Sequence, residues 1–386
     1  MKTIVFINLY PEMGGGEYAL YNLLKRIDRN RIRPVMLFNQ PGPFIDKVGK
    51  LGVETVILRY HNVMLSKLVY PHHFWHLIQS SRLMYRYIQQ NKPDVIHCSD
   101  VLALLYIAYA VLRFHIPVVY NVIFFYEWQR MILFNVLALF LVKRIVTNSQ
   151  AVKNDLLRRT VFLSRKIDTV YQGVDTELFR PSRDGDVNVL RKELKLDPKV
   201  KLVGMVGRYD PSKGHKVFLH AASHVLKKRS DVKFVLIGGV LFGDVFPFFR
   251  RYYDDVLNYH RELRLEEKVI FLPHRGDMPE VMRSLDVFVL PSLNEGFGLV
   301  ILEALASNVP IVASRTIGAM EVVGDTEGVF AAEPGDPMSF AEKIDQALEY
   351  VQNKLYHTFN SAKLSQLTWA EYSRKMEQLY ETVVKR

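Results

Sequence analysis

Short apolar runs recur along this chain, separated by longer stretches with helical periodicity. The runs are rich in Val, Ile, Leu and Phe and close on Gly, Pro, Asn or Ser, which is the signature of strands buried on both faces. In the first half they read "TIVFINL", "PVMLFN", "TVILR", "DVIHCS", "PVVYNVIF", "RIVTNS" and "IDTVYQG". The polar stretch "TELFRPSRDGDVN", residues 176–188, carries Pro and Gly and reads as an interdomain linker. Beyond it the rhythm restarts with "KLVGMVGRY", "KFVLIGG", "KVIFLPH", "DVFVLPS", "PIVAS" and "GVFAA". Residues 369–384, "WAEYSRKMEQLYETVV", form an amphipathic helix. The alternation predicts an α/β chain: two Rossmann-like, doubly wound domains facing each other across a cleft, over 1–180 and 181–366. A length of 386 residues suits two domains.

Composition adds limits. A single cysteine, Cys98, excludes an intrachain disulfide and fits a reducing compartment. The N-terminal apolar run enters a Gly-rich loop without a signal-peptide cleavage pattern, so it reads as a first strand. The longest strongly apolar run, residues 131–142, is too short to span a bilayer. Charge is uneven. Residues 1–180 hold 23 Lys/Arg against 12 Asp/Glu, whereas 181–386 hold 28 of each, so the whole net +11 lies in the first half. A one-sided basic field points to an anionic partner: a membrane, a nucleic acid or a phosphorylated substrate.

Three loops could take a phosphate. Gly14, Gly15 and Gly16 sit between the first strand and first helix, although their spacing is not G-x-G-x-x-G. Arg208 and Lys213 flank a polar loop after the second domain's first strand, as a fork and a point charge on a diphosphate. "NEGFG", residues 294–298, joins a strand to a helix starting at Leu299. Backbone amides of Gly296, Phe297 and Gly298 there lie at a positive helix end. Glu303 falls within that helix, where a buried carboxylate needs a partner. Taken singly, each feature also reads as an unliganded turn or solvated charge. The chain has no G-x-S-x-G and no H-E-x-x-H; "PHH" at 71–73 reads as an exposed helix start and Asp254-Asp255 as ordinary helix.

In combination, Gly207-Arg208 with Lys213-Gly214, then "PSLNEGFGLVILEALA", then "VPIVAS" resembles the retaining glycosyltransferases of family 4, which have the two-domain GT-B fold. "VTNSQAVKNDL", "GVDTELF" and the closing Trp-containing helix support the resemblance over nearly the full length. It implies that Arg208 and Lys213 hold the donor's diphosphate. Amides near Phe297, Gly298 and Leu299 meet its oxygens and the sugar, and Glu303 takes the ribose hydroxyls. Glu295 contacts the donor sugar, while Gly15 and Gly16 allow close approach of the first domain. Glu295, Arg208 and Lys213 are the expected catalytic groups. No metal or other cofactor is expected. Residues 367–386 are expected to return to the first domain. The segment 117–128 lacks the His that relatives often carry, leaving Asn121 and Glu127 as alternatives, and the paired glycine after "VAS" is Gly318-Ala319.

The expected function is transfer of a sugar from a UDP- or GDP-linked donor to a lipid-linked or envelope saccharide. A related epimerase or phosphorylase and a catalytically silent GT-B subunit stay open. A nucleic-acid partner is not expected, since no reading module is present. The stretch 59–92 mixes Lys67, Arg82, Arg86 and Lys92 with Phe74, Trp75, Leu77, Met84, Tyr85 and Tyr87, or reads instead as a core helix. As an interfacial helix it would hold the protein peripherally on the anionic inner face of the cytoplasmic membrane.

Overall fold

The computed structural model describes residues 1–61, 70–126, 128–160, 162–241, 247–353 and 361–384. Lys67 and Glu127 lie outside them. The chain divides into unit 1, Met1–Gln172 with Trp369–Arg386, and unit 2, Gly173–Thr368.

Unit 1 has seven strands: β1 (Lys2–Ile7), β2 (Ile32–Phe38), β3 (Glu54–Ile57), β4 (Val95–Cys98), β5 (Val118–Val122), β6 (Val142–Thr147) and β7 (Ile167–Thr169). All pair in parallel, in the order β3-β2-β1-β4-β5-β6-β7. Between them run α1 (Gly15–Arg26), α2 (Pro43–Gly49), α3 (Pro71–Asn91), α4 (Val101–Phe114), α5 (Trp128–Leu141) and α6 (Gln150–Arg159). Strands β1, β4 and β5 are apolar on both faces because helices cover both: Ile4, Val5, Phe6, Ile96 and Val119 are wholly buried.

Unit 2 has six strands, β8 (Lys201–Val206), β9 (Val232–Ile237), β10 (Val269–Leu272), β11 (Val287–Leu290), β12 (Ile311–Ser314) and β13 (Val329–Ala332), in the parallel order β10-β9-β8-β11-β12-β13. Its helices are α7 (Val189–Glu193), α8 (His215–Leu226), α9 (Pro247–Glu262), α10 (Met278–Ser284), α11 (Leu299–Ala306), α12 (Ile317–Val323), α13 (Pro337–Gln352) and α14 (Ser361–Gln366). In each sheet the strand order reverses at one place, between β1 and β4 and between β8 and β11. Open α/β sheets hold ligands beyond the carboxyl ends of the strands at such points.

The last helix, α15 (Trp369–Val384), is part of unit 1. Trp369 is 1% exposed and meets Tyr18 edge-on at 5.7 Å. The Tyr380 hydroxyl and His97 Nδ1 lie 2.7 Å apart, and Glu377 accepts from the Asp28 amide. Burial pushes His97 down to about 3, so its imidazole stays neutral. Asn121 is buried on β5 and its side chain hydrogen-bonds the Tyr372 hydroxyl, so it serves the seating of α15.

The stretch 176–188 is not a free linker. Phe179 is 3% exposed, and Arg180 forks onto Asp186 at 2.8 and 3.0 Å. It folds as part of unit 2, and the chain crosses between units at Gln172/Gly173 and Thr368/Trp369. In unit 2 these two crossings run side by side, with Val174 bridged to Thr368. With these bounds unit 1 carries 26 Lys/Arg against 13 Asp/Glu, and unit 2 carries 25 against 27. The charge asymmetry is therefore sharper than the sequence halves suggest.

Candidate active site

A cluster of polar groups in unit 2 lies where the loops after β8 and β11 meet. Gly214 ends the Pro211–Lys213 turn with φ +74°, and a Cβ there would lie 1.9 Å from the Pro291 carbonyl oxygen. Only glycine lets the two loops touch at that point. Beside it the Leu293 amide donates to the Ser212 carbonyl at 2.7 Å. Lys213 Nζ then reaches across to Glu295 Oε2 at 2.8 Å, and Ser292 Oγ donates to the same oxygen at 3.1 Å. Glu295 is only 9% exposed, and its carboxylate is held by a cation and a hydroxyl, as a buried charge must be.

Two more glycines press on this loop. Gly298, at φ +81°, sits so close that a Cβ would approach Glu295 Cγ to 3.2 Å. Gly318, at the start of α12, would place a Cβ 2.1 Å from the Glu295 carbonyl oxygen. The Gly318-Ala319 pair, which looks unremarkable in sequence, thus fixes the backbone under the first glutamate.

Arg208 lies on the same β8 loop but is turned elsewhere. Its Nη2 donates to Asp210 Oδ2 at 2.8 Å, and its guanidinium stands 5.8 Å from the Phe249 ring centre. Arg208 Nε is buried with no hydrogen-bond partner among the described residues. Burial would raise the Asp210 carboxyl, but hydrogen bonds from Ser212 and the nearby Arg208 charge outweigh this and hold it below its usual range. Both expected cations are therefore already engaged with carboxylates. The next residue after Gly214, His215, is buried against Tyr209, with ring centres 4.9 Å apart. Burial pushes it down to about 4, so it adds no charge.

Helix α11 starts at Leu299, and its N-cap is Gly298. The Gly298 and Leu299 amides donate no hydrogen bond among the described residues. Gly296 and Phe297 are buried in the turn before it. Glu303 lies just over one turn in, half-buried, and its carboxyl makes no hydrogen bond or ion pair among the described residues. Burial pushes its carboxyl up from 4.5 to about 8. Glu295 and Glu303 therefore sit in opposite environments: one neutralised by Lys213, the other lacking a counter-charge.

Gly15 and Gly16 belong to unit 1, at the carboxyl end of β1. The Gly14 amide donates to Glu17 at 3.0 Å, so the glutamate satisfies one free amide at the start of α1. A Cβ on Gly16 would meet the tip of Ile123. Sequence reading missed Ser292 and Asp210, the partners that orient Glu295 and Arg208. Asp210 before Pro211 is a turn-start signal, whereas Ser292 carries none. Among the described residues no group of three His, Cys, Asp or Glu is arranged to hold a metal.

Comparison with known proteins bears on this geometry. Residues 13–178 match the model described as Glycosyltransferase Family 4, and residues 186–363 match that described as Glycosyl transferases group 1. The chain belongs to glycosyltransferase family 4. It is 29% identical over 247 residues to the D-inositol 3-phosphate glycosyltransferase of Corynebacterium kroppenstedtii, covering 63% of this chain and 54% of that one. A Mycobacterium protein of the same name is 33% identical over 208 residues, 53% of this chain and 44% of that one. The chain spans about half the length of the curated relatives it matches. Among solved structures, Anabaena HepE in complex with UDP and glucose has a TM-score of 0.83, covering 99% of this chain and 100% of that one at 22% identity. Sucrose-phosphate synthase from Thermosynechococcus elongatus has a TM-score of 0.80, covering 99% of both chains at 19% identity. This family 4 chain thus shares its fold with two-domain GT-B proteins.

The raised Glu303 carboxyl gives a pH signature. The folded state keeps its proton up to about 8, while the unfolded state releases it near 4.5. Its contribution to stability therefore falls as pH rises through that window. His97 and His215, both depressed, give slopes of the opposite sign below the usual histidine range. Urea unfolding of ligand-free Glu303→Gln and wild type should diverge steadily between pH 5 and 8, with the variant gaining relative stability. Parallel curves would mean that the carboxyl is not desolvated.

Proposed function

We propose that this protein is a retaining glycosyltransferase that moves a sugar from a UDP-linked donor to a lipid-linked or envelope saccharide. The observation that carries the reading is the Lys213–Glu295–Ser292 cluster at the strand reversal of unit 2, with Arg208 beside it and the amide end of α11 close by in sequence. UDP is favoured over GDP because the structural neighbour HepE is described with UDP and with UDP-glucose.

Each group then has a task. The donor's diphosphate competes with Asp210 and Glu295 for Arg208 and Lys213. The Gly298 and Leu299 amides offer the positive helix end to its oxygens. Glu303 accepts hydrogen bonds from the ribose hydroxyls, which suits a carboxylate with no partner of its own. Glu295, released from Lys213, accepts from hydroxyls of the donor sugar and helps place its anomeric carbon. As the acceptor oxygen bonds to that carbon, the bond to the phosphate oxygen breaks. The leaving phosphate takes the acceptor's proton, and the new bond forms on the same face. Negative charge grows on the phosphate oxygens in this step, and fixed cations and amides aimed there lower such barriers by about 3–4 kcal/mol. Arg208 and Lys213 supply that charge without a metal.

The relatives' printed names favour an inositol phosphate as acceptor. The surface of unit 1 favours a membrane-borne one. Helix α5 is apolar over most of its surface: Met131, Phe134, Ala138 and Leu141 pack inward, while Trp128, Ile132, Val136, Leu139 and Phe140 form an exposed stripe. Trp128 and Phe140 are both 71% exposed. A helix with so little polar surface is ordinarily buried or in lipid. Lys166 caps its last turn, donating to the Ala138, Leu139 and Val142 carbonyls. No described helix is long and apolar enough to cross a membrane, so the stripe suits interfacial insertion. Helix α3 suits it less than the sequence suggests: Met84 is in the core, and Tyr85 stacks on Phe114 at 5.4 Å.

Two outcomes follow. UDP should raise the melting temperature of the wild type, as any ligand selective for the native state does. Arg208→Ala/Lys213→Ala should abolish that shift, each charge-assisted contact being worth about 1.5–3 kcal/mol. A full shift in the double variant would put the nucleotide elsewhere. Separately, Ile132→Ser/Val136→Ser/Phe140→Ser should release the protein from anionic vesicles in co-sedimentation and leave the UDP shift intact. Undiminished vesicle binding would reject α5 as the membrane face.

A further inference from the structure

Unit 1 carries a second polar feature that the donor site does not use. A cavity of about 330 Å³ opens between the chain leaving β3 and one face of α3. Its wall is made by Arg59 and His61 from the loop and by Ser80, Arg82, Leu83 and Arg86 from the helix, with Gln79 one turn from Leu83 on the same face. The helical residues share one face because they recur at three- and four-residue spacing. Three arginines therefore line one space, and among the described residues no acidic side chain lines it.

None of the three arginines makes an ion pair among the described residues. The acid nearest in sequence, Glu54, is taken by Arg33 at 2.5 Å. Like charges that share one pocket repel one another. The framework beneath them is nevertheless fixed. The His61 amide donates to the buried Ser80 hydroxyl at 3.0 Å, and the His61 carbonyl accepts from the Tyr106 hydroxyl. The His61 ring stacks on His76 at 4.1 Å with a 10° interplanar angle. Arg82 lies over the Trp75 ring at 5.8 Å. The backbone that carries Arg59 is thus tied to α3 through His61 and Ser80, and Arg82 rests against an indole, while all three arginine side chains are exposed.

We infer that this cavity binds a phosphate-bearing group, a phosphomonoester or diphosphate. A planar guanidinium presents paired N–H donors that match two phosphate oxygens, and three of them suit a group carrying more than one negative charge. A single carboxylate offers too few oxygens for three forks. The volume leaves room for a ring-sized substituent beside the phosphate. The group could belong to a lipid headgroup or to a soluble phosphorylated molecule. The inference concerns unit 1 alone and is independent of the donor reading.

The test is calorimetry with inorganic pyrophosphate on the full chain, with UDP held at saturation. It is repeated in the Arg208→Ala/Lys213→Ala background, so that a failed donor assignment cannot mask the result. Pyrophosphate should bind in both settings. Arg82→Ala and Arg86→Ala should each weaken it at least about tenfold, and Arg82→Lys less, since lysine keeps the charge and loses the fork. Arg113→Ala, outside the cavity, should have no effect. Complete loss of binding under UDP together with loss in the Arg208→Ala/Lys213→Ala protein, or unchanged binding in Arg82→Ala and Arg86→Ala, would overturn the proposal. Vesicles of equal charge separate the two sources. A preference for phosphatidic acid over phosphatidylglycerol that vanishes in Arg82→Ala identifies a lipid headgroup. Equal binding to both, with pyrophosphate binding retained, identifies a soluble ligand.

Discussion

The ion pair between Lys213 and Glu295 joins the two loops that flank the strand reversal of unit 2, and the local backbone is arranged around it. Gly214 lets those loops touch, the Ser212–Leu293 bond ties them, and Gly318 leaves room for the Glu295 carbonyl. Removing one member of a well-buried pair costs about 3–5 kcal/mol, because the other is left uncompensated. Here Lys213 keeps 24% of its side chain in solvent, so the cost is smaller and the pair can exchange partners.

The ligand-free site balances its own charge unequally. Lys213 and Arg208 are each satisfied by a carboxylate, so an incoming diphosphate meets cations that are positioned and quenched together. On the proposed reading, binding of a diphosphate is an exchange of anions. Glu303 is the opposite case: burial raises its carboxyl to about 8, and no described side chain relieves it. A hydroxyl-bearing ligand would. The two glutamates are eight residues apart and chemically alike, yet their surroundings differ.

Much of this was legible in the sequence. The apolar runs marked all seven strands of unit 1 and all six of unit 2, because strands covered by helices on both faces are continuous in their hydrophobicity. Glu295, Arg208 and Lys213 were singled out by the family resemblance of the glycine-bearing loops that carry them. The pairing of each cation was hidden, since Asp210 and Ser292 are residue types common in any turn. The segment 176–188 read as a linker because polar composition does not reveal that Phe179 is buried or that Arg180 meets Asp186. The outward stripe of α5 was invisible for the converse reason. A helix apolar over most of its surface reads as core, and only the fold shows that one side lacks a cover. The Arg59–Arg82–Arg86 cavity required β3 and α3 to be brought together in space.

The central claim is that Lys213 exchanges Glu295 for a donor phosphate. The most direct test is the affinity of Glu295→Gln for UDP, measured by calorimetry beside wild type and Lys213→Ala. If the exchange occurs, glutamine frees the lysine without taking its place. UDP should then bind at least as tightly as in wild type, by up to about tenfold more, while Lys213→Ala weakens it. A Glu295→Gln protein that loses UDP as severely as Lys213→Ala would contradict the account, since the carboxylate would then be holding the nucleotide site in place.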